Sequence, residues 1–234
     1  MASSNELTRV PKIEAVVFDM DGILIDSEVL WRQVREEFAT ENGMTWSADD
    51  QASTMGCNTA MWARIMVDRL QLFERLGMDE SYIATEIKQR LLKKYQEHLP
   101  IREGAIEAVH LAAAHYKVAL ASGSPNEIAR YVMRATGLDT VFLATMYGDD
   151  VEHGKPAPDI YLRVLQKIGV LPENAVGVED SANGIKSLKA AGMFVIAVPG
   201  PEFPLSPETL ALADVCLSEM TQLTLQVIQQ ATGY

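Results

Sequence analysis

Four polar stretches of this chain carry residue types that do chemistry together: Asp19-Met20-Asp21-Gly22, Ser122-Gly123-Ser124, Gly154-Lys155-Pro156 and Glu179-Asp180. Taken singly, each has an ordinary structural role. Asp and Gly favour turns, Ser ahead of a helix is a cap, Gly-Lys-Pro is a surface loop, and an acidic pair at a helix start answers the helix dipole. Their placement sets them apart. Three of the stretches follow short apolar runs, at residues 13–18, 118–121 and 175–178, that read as strands. In an open α/β sheet, ligands bind at the carboxyl ends of parallel strands. Those ends bring Asp19, Asp21, Ser122, Glu179 and Asp180 toward one mouth. Carboxylates gathered there repel by about 4 kcal/mol per close pair at an effective dielectric of about 20, so the group requires a cation. Mg2+ suits it, being hard, preferring oxygen ligands and often keeping some water. Lys155, fixed in a loop ahead of a helix beginning near Pro158, adds a charge able to neutralise both a phosphate and an attacking carboxylate. The chemistry such a set supports is phosphoryl transfer.

The intervening elements alternate between strand and helix. Ser124 and Pro125 suit the N-cap and first turn of a helix, and Gly137 suits its exit. Further strands are expected near residues 141–145, 194–198 and 214–217, with helices near 158–168, 182–191 and 220–230. A parallel sheet wrapped by helices follows, an α/β fold. Residues 29–98 interrupt the alternation. They lack strand patterns and carry helix-period apolar residues such as Trp62, Ile65, Met66 and Leu70, so they read as an inserted α-helical domain, leaving 1–28 and 99–234 as the core. The Met and Trp residues of the insert read as packing.

With 234 residues, 48% of them hydrophobic, the chain has material for a core domain plus a smaller one. Its formal net charge of -12 repels phosphate backbones and anionic lipid at long range, so neither nucleic acid nor a membrane is an expected partner. Cys57 and Cys216 form no metal-ligand spacing and read as incidental thiols suited to a reducing cytoplasm. Residues 1–12 are too polar for the apolar centre of a secretory leader, and no run reaches membrane-spanning length. A cytoplasmic monomer acting on a small phosphorylated metabolite is expected.

In their order, the four stretches resemble the motifs of the haloacid dehalogenase superfamily, over roughly residues 13–198. Asp26-Ser27-Glu28, Gly154-Lys155-Pro156-Ala157-Pro158-Asp159 and Val178-Glu179-Asp180-Ser181-Ala182-Asn183-Gly184-Ile185 are similar to the branch of β-phosphoglucomutase and of sugar phosphatases of the 2-deoxyglucose-6-phosphatase type. The resemblance implies a Rossmann-like core with strand order 5-4-1-2-3 and makes the insert its helical cap. It implies Asp19 as a nucleophile that forms an aspartyl-phosphate, and Asp21 as general acid and base. Magnesium would be bound by the carboxylates of Asp19 and Asp180 and the backbone carbonyl of Asp21, with Glu179 a further ligand or just behind. Ser122, the amide of Gly123 and Lys155 would hold the equatorial phosphoryl oxygens. Asp21 itself argues for phosphoryl rather than halide chemistry, because a departing halide needs no proton.

Within that branch a mutase is expected to carry a His where this chain has Trp31, and an Arg in the cap loop matching Gly56-Cys57-Asn58-Thr59. Neither is present, which removes the strongest clamp on a second phosphate and favours a hydrolase over a mutase. A phosphonate hydrolase would need a reactive cap lysine, and Lys88, Lys93 and Lys94 lie away from the expected cap loop. A catalytically silent binding protein fits poorly with intact Asp19, Asp21, Lys155 and Asp180. Residues 55–59 are the expected specificity loop, where Asn58 either bonds a sugar hydroxyl or caps the following helix. Hinges are expected at residues 26–28 and 99–101. Asp19→Asn is expected to cut turnover below about a tenth of wild type while leaving the melting temperature equal or higher, because the amide is nearly isosteric but is no nucleophile; a steady-state assay run beside a thermal melt checks both.

Overall fold

Strands buried on both faces of a parallel sheet read as unbroken apolar runs, and β1 (Ala15–Phe18) is such a strand, closed to solvent along its length. The computed structural model, which describes residues 12–201 and 204–231, sets it in one parallel sheet with β2 (Lys117–Ala121), β3 (Ala144–Met146), β4 (Ala175–Glu179), β5 (Phe194–Ala197) and β6 (Val215–Cys216). The order is β3-β2-β1-β4-β5-β6. It contains the expected 5-4-1-2-3 arrangement, with β6 added outside β5. The expected strand at 141–145 begins later, because Leu138–Thr140 forms a tight 3-10 turn after Gly137.

Between β1 and β2 run α1 (Glu28–Glu41), α2 (Ala48–Thr54), α3 (Thr59–Leu70), α4 (Leu72–Leu76), α5 (Glu80–Glu97) and α6 (Ala105–Ala113). The remaining helices are α7 (Asn126–Thr136), α8 (Asp159–Ile168), α9 (Ala182–Ala191), α10 (Pro207–Leu210) and α11 (Leu225–Gln230). The helix expected over 220–230 is broken. A 3-10 turn at Met220–Gln222 ends before Thr224, whose hydroxyl accepts from the amide of Val227 and caps α11.

Side chains of a strand alternate between faces, and here the alternation also sorts them by size. Val16, Phe18, Val118, Leu120, Val176 and Val178 pack on the face covered by α6, α7 and α11. Ala15, Val17, Ala119, Ala121 and Ala175 line the opposite face, where α8 and α9 lie close. Gly177 carries this to its limit, since a Cβ there would overlap the side chain of Leu188 on α9.

Helices α1 to α5 pack on one another in an apolar interior that runs on into the face covered by α6, α7 and α11. Ile83, Ile87, Leu91 and Tyr95 recur at one-turn intervals on α5 and pack with Val34 and Phe38 of α1 and Trp62 and Met66 of α3. Burial of each such side chain contributes about 1.5–3 kcal/mol. The two chain crossings that lead into and out of these helices lie side by side. Ile25 bridges Ile101 in antiparallel fashion, the amide of Asp26 donates to Pro100 O at 2.8 Å, and the amide of Arg102 donates to Leu24 O at 3.0 Å. Among the described residues no helix is long and apolar enough to cross a membrane. The opening stretch expected to hold no secretory leader falls, apart from Lys12, outside the described residues. Gly177→Val is expected to destabilise the protein by about 1–3 kcal/mol through overpacking against Leu188, read from urea or thermal unfolding.

Candidate active site

Sheet register assembles the site. Phe18 is level with Leu120 on one side and Val178 on the other, so Asp19, Ser122 and Asp180 leave three adjacent strands at the same edge. Lys155 enters from the loop between β3 and α8 and is fully buried. Its Nζ donates to Asp19 Oδ1 at 2.7 Å, to Glu179 Oε1 at 2.6 Å and to Ala121 O at 3.1 Å. Burial works against the ammonium, but Asp19 and Glu179 outweigh it and hold Lys155 well above the usual lysine range.

Glu179 is the most heavily engaged carboxylate. Oε1 also accepts from Tyr161 OH at 2.8 Å, while Oε2 accepts from the amides of Asp180 and Ser181 and from Ser181 Oγ. Burial raises its pKa, yet Lys155 and these donors pull it below the usual range. Gly184 leaves the room this carboxylate occupies, since a Cβ there would overlap it.

The carboxylates of Asp19, Glu179 and Asp180 offer oxygens that lie within 4.8 Å of one another. Burial pushes Asp19 well above the usual carboxylate range against the pull of Lys155; burial, reinforced by Glu179 and Asp19, does the same to Asp180. A set of buried, mutually repelling hard oxygens fits a divalent cation such as magnesium. With both oxygens of Glu179 already taken by donors, Asp19 and Asp180 are the carboxylates with free lone pairs, and Glu179 stands behind them, holding Lys155. The seat of Asp180 is set by Gly22, which has φ +75° and whose missing Cβ is the space the Asp180 carboxylate fills.

Asp21 is held on all sides. Oδ1 accepts from Ser27 Oγ at 2.6 Å and from Trp31 Nε1 at 3.2 Å, and Oδ2 from Ser124 Oγ at 2.6 Å and Ser122 Oγ at 3.3 Å. The expected cap role of Ser124 is corrected by this contact. Helix α7 starts later, at Asn126, with Pro125 at its N-cap, and Asp149 Oδ2 accepts from the amide of Asn126.

Asp19, Asp21, Gly123 and Ser124 line a cavity of about 30 Å³ whose other wall is Glu28, Trp31, Arg35, Thr54, Gly56, Cys57 and Trp62. This volume has room for about two waters, so the helices are closed over the strand ends. The closure is latched by Asn183 Nδ2 donating to Met55 O at 2.9 Å and Thr59 Oγ1 donating to Asp149 Oδ1 at 2.6 Å. Burial, with Asp21 nearby, pushes Glu28 up to about 7, although Arg35 and Gln51 pull the other way. Burial lowers Arg35 to about 10 and raises the Cys57 thiol to about 11, which leaves that thiol protonated and inert.

A family model described as haloacid dehalogenase-like hydrolase matches residues 13–192. The chain belongs to this family. Hexitol phosphatase B of Escherichia coli (strain K12) is 34% identical over 215 residues, spanning 91% of this chain and 95% of its own. The phosphorylated carbohydrates phosphatase of Thermotoga maritima is 33% identical over 181 residues, spanning 77% and 82%. β-Phosphoglucomutase from Clostridium difficile shares the fold, with a TM-score of 0.81 at 22% identity over 94% of this chain and 97% of that one. This haloacid dehalogenase-like hydrolase is accordingly an enzyme of the phosphatase kind.

The structure brings Asp19, Asp21, Ser122, Gly123, Glu179 and Asp180 together at strand ends, and Lys155 joins them from its loop ahead of α8. Asn58 stands apart. Its Oδ1 accepts from the amide of Met61 and caps α3, its side chain packs on Gly154, and it is not among the residues lining the cavity. Of its two readings, the cap is the one seen. Sequence reasoning missed Arg35 and gave Trp62 to packing alone. Ser27, Trp31 and Arg35 are spaced one turn apart on the start of α1, and that spacing was the available signal that Arg35 shares the face of Trp31. Gly22→Ala is expected to abolish turnover and weaken magnesium binding by displacing Asp180, which kinetics and metal titration of the variant would read.

Proposed function

We propose that this enzyme hydrolyses a small sugar or polyol monophosphate through an aspartyl-phosphate on Asp19. One observation carries the reading. Asp19 keeps one oxygen on Lys155 while the other has no partner among the described residues, at a cavity it shares with Asp21. One carboxylate is thus free to attack, and its neighbour is oriented by donors to manage a proton. The names of the two phosphatase relatives support the substrate class.

In this mechanism Asp19 attacks phosphorus in line with the ester oxygen. Asp21 protonates the departing alkoxide and then takes a proton from the water that cleaves the aspartyl-phosphate. Ser122 and the amide of Gly123 bind the equatorial oxygens, where transition-state charge spreads, and Lys155, whose three N–H groups are taken by Asp19, Glu179 and Ala121 O, adds positive charge beside them. Asp19, Asp180 and the Asp21 carbonyl would hold magnesium, which when bound supplies neutralising charge to the carboxylates and a phosphoryl oxygen. Residues 29–98 act as a cap on a core of 1–28 and 99–234, hinged at the paired crossings, and must open to admit substrate. The free thiols Cys57 and Cys216 support a cytoplasmic setting.

Trp31, standing where a mutase would carry His, donates to Asp21 and supports hydrolysis over transfer to a second sugar hydroxyl. The test is phosphate release from a panel of hexitol, hexose and aryl monophosphates. Activity is expected with magnesium, with loss in excess chelator and inhibition by calcium. Full activity in chelator would remove the metal from the mechanism, and isomerisation primed by a hexose bisphosphate without net phosphate release would establish the mutase instead. Absence of any turnover, aryl phosphate included, would leave a silent binding protein.

A further inference from the structure

We propose that Arg35, Trp62 and Glu28 form the part of the site that reads substrate hydroxyls, selecting a neutral polyol or sugar chain over one bearing a second anion. The proposal rests on the phosphatase reading above and assigns the wall of the cavity opposite the nucleophile.

Arg35 is 3% exposed and Trp62 2% exposed, yet each keeps a buried donor, Arg35 Nε and Trp62 Nε1, without a hydrogen-bond partner among the described residues. Unpaired buried donors are costly and uncommon in folded proteins. Both of these belong to residues that line one cavity, the same that holds Asp19 and Asp21. Neither side chain is loose. Arg35 Nη1 donates to Gln51 Oε1 at 3.0 Å and to Thr54 Oγ1 at 2.8 Å, and its guanidinium lies 4.7 Å from the Trp31 ring centre and 5.5 Å from that of Trp62. The guanidinium is thus positioned before substrate arrives, with donor capacity left over.

Glu28 supplies the opposite polarity. Gln51 Nε2 donates to its Oε2 at 2.9 Å, so one amide side chain spaces Glu28 from Arg35, and Oε1 has no hydrogen-bond partner among the described residues. Two donors without partners and a free acceptor, all on residues that line one cavity, complement hydroxyl groups, each of which both donates and accepts. A second phosphate or a carboxylate would satisfy Arg35 but would face Glu28, with Asp19 and Asp21 on the same cavity, and like charges disfavour that occupant.

The test compares kcat/KM at about pH 8 for a hexitol monophosphate, a hexose monophosphate, a hexose bisphosphate and an aryl phosphate that has no hydroxyls. Wild type is set beside Trp62→Phe, Arg35→Lys and Glu28→Gln, each with its melting temperature. Trp62→Phe removes the N–H while keeping an aromatic ring, so it remains informative if the Arg35 variant fails to fold. Trp62→Phe and Arg35→Lys are each expected to lower kcat/KM for the hydroxylated monophosphates about ten-fold more than for the aryl phosphate, mainly through KM. Glu28→Gln is expected to narrow the preference for monophosphate over bisphosphate. Equal losses on every substrate would overturn the assignment while leaving the phosphatase reading intact. A wild-type preference for the bisphosphate that Arg35→Lys or Trp62→Phe removes would also overturn it, in favour of a second anion site. No turnover of any substrate by wild type would instead defeat the phosphatase reading, and this proposal with it.

Discussion

The ammonium of Lys155 between Asp19 and Glu179 is the contact on which the rest of the site depends. All three groups are buried, and taking charges out of water costs several kcal/mol per ion unless geometry and further hydrogen bonds compensate. Compensation here draws on three strands and a helix: the Ala121 carbonyl from β2, Asp19 after β1, Glu179 ending β4, and Tyr161 of α8. None of these can move far without stranding a charge. The order of the sheet, with β1 between β2 and β4, is therefore an electrostatic requirement as much as a packing one. One lysine cannot balance three carboxylates, and the residual charge falls on Asp19 and Asp180, where a cation fits.

Much of this was legible in the sequence because it is local. Each motif sits at the end of its own apolar run, and the runs are short, β-branched and separated by helix-period segments. Register then follows from topology, so Asp19, Ser122 and Asp180 could be brought together without coordinates. Local rules also failed where two of them competed. Ser124 has the type and position of a helix cap, but the half-buried carboxylate of Asp21 is a better partner for its hydroxyl than the start of α7. The segment at 220–230 has helical periodicity, yet Thr224 caps a new helix in the middle of it.

The wall of the cavity was not legible, for a different reason. Where Arg35 and Trp62 point depends on how α1 and α3 pack against each other and over the strand ends, and helical periodicity gives a face without naming what lies opposite. Arg35 on a helix is ordinarily a solvated residue. Here the rings of Trp31 on α1 and Trp62 on α3 and the side chains of Gln51 and Thr54 on α2 are what keep it inside. The absence of an arginine from the cap loop said nothing about one arriving from α1.

The paired crossings near Ile25 and Ile101 have a mechanical side. Gly22 donates its amide to Ile25 O, its carbonyl accepts from Arg102, and Arg102 also reaches Val198 O at 3.3 Å. The backbone that seats Asp180 is therefore also the backbone about which the helices would turn. Asp21 spans the same joint: Ser122 and Ser124 grip it from the sheet and Ser27 from the hinge, while Trp31 reaches it from the helices that would depart on opening. With Trp31 withdrawn, the carboxylate would lose one of its four restraints, the one that crosses from the helices to the strand ends. Under the proposed mechanism proton transfer would thereby be geared to closure: an open enzyme would be idle by construction, its acid slackened whenever its nucleophile met bulk water.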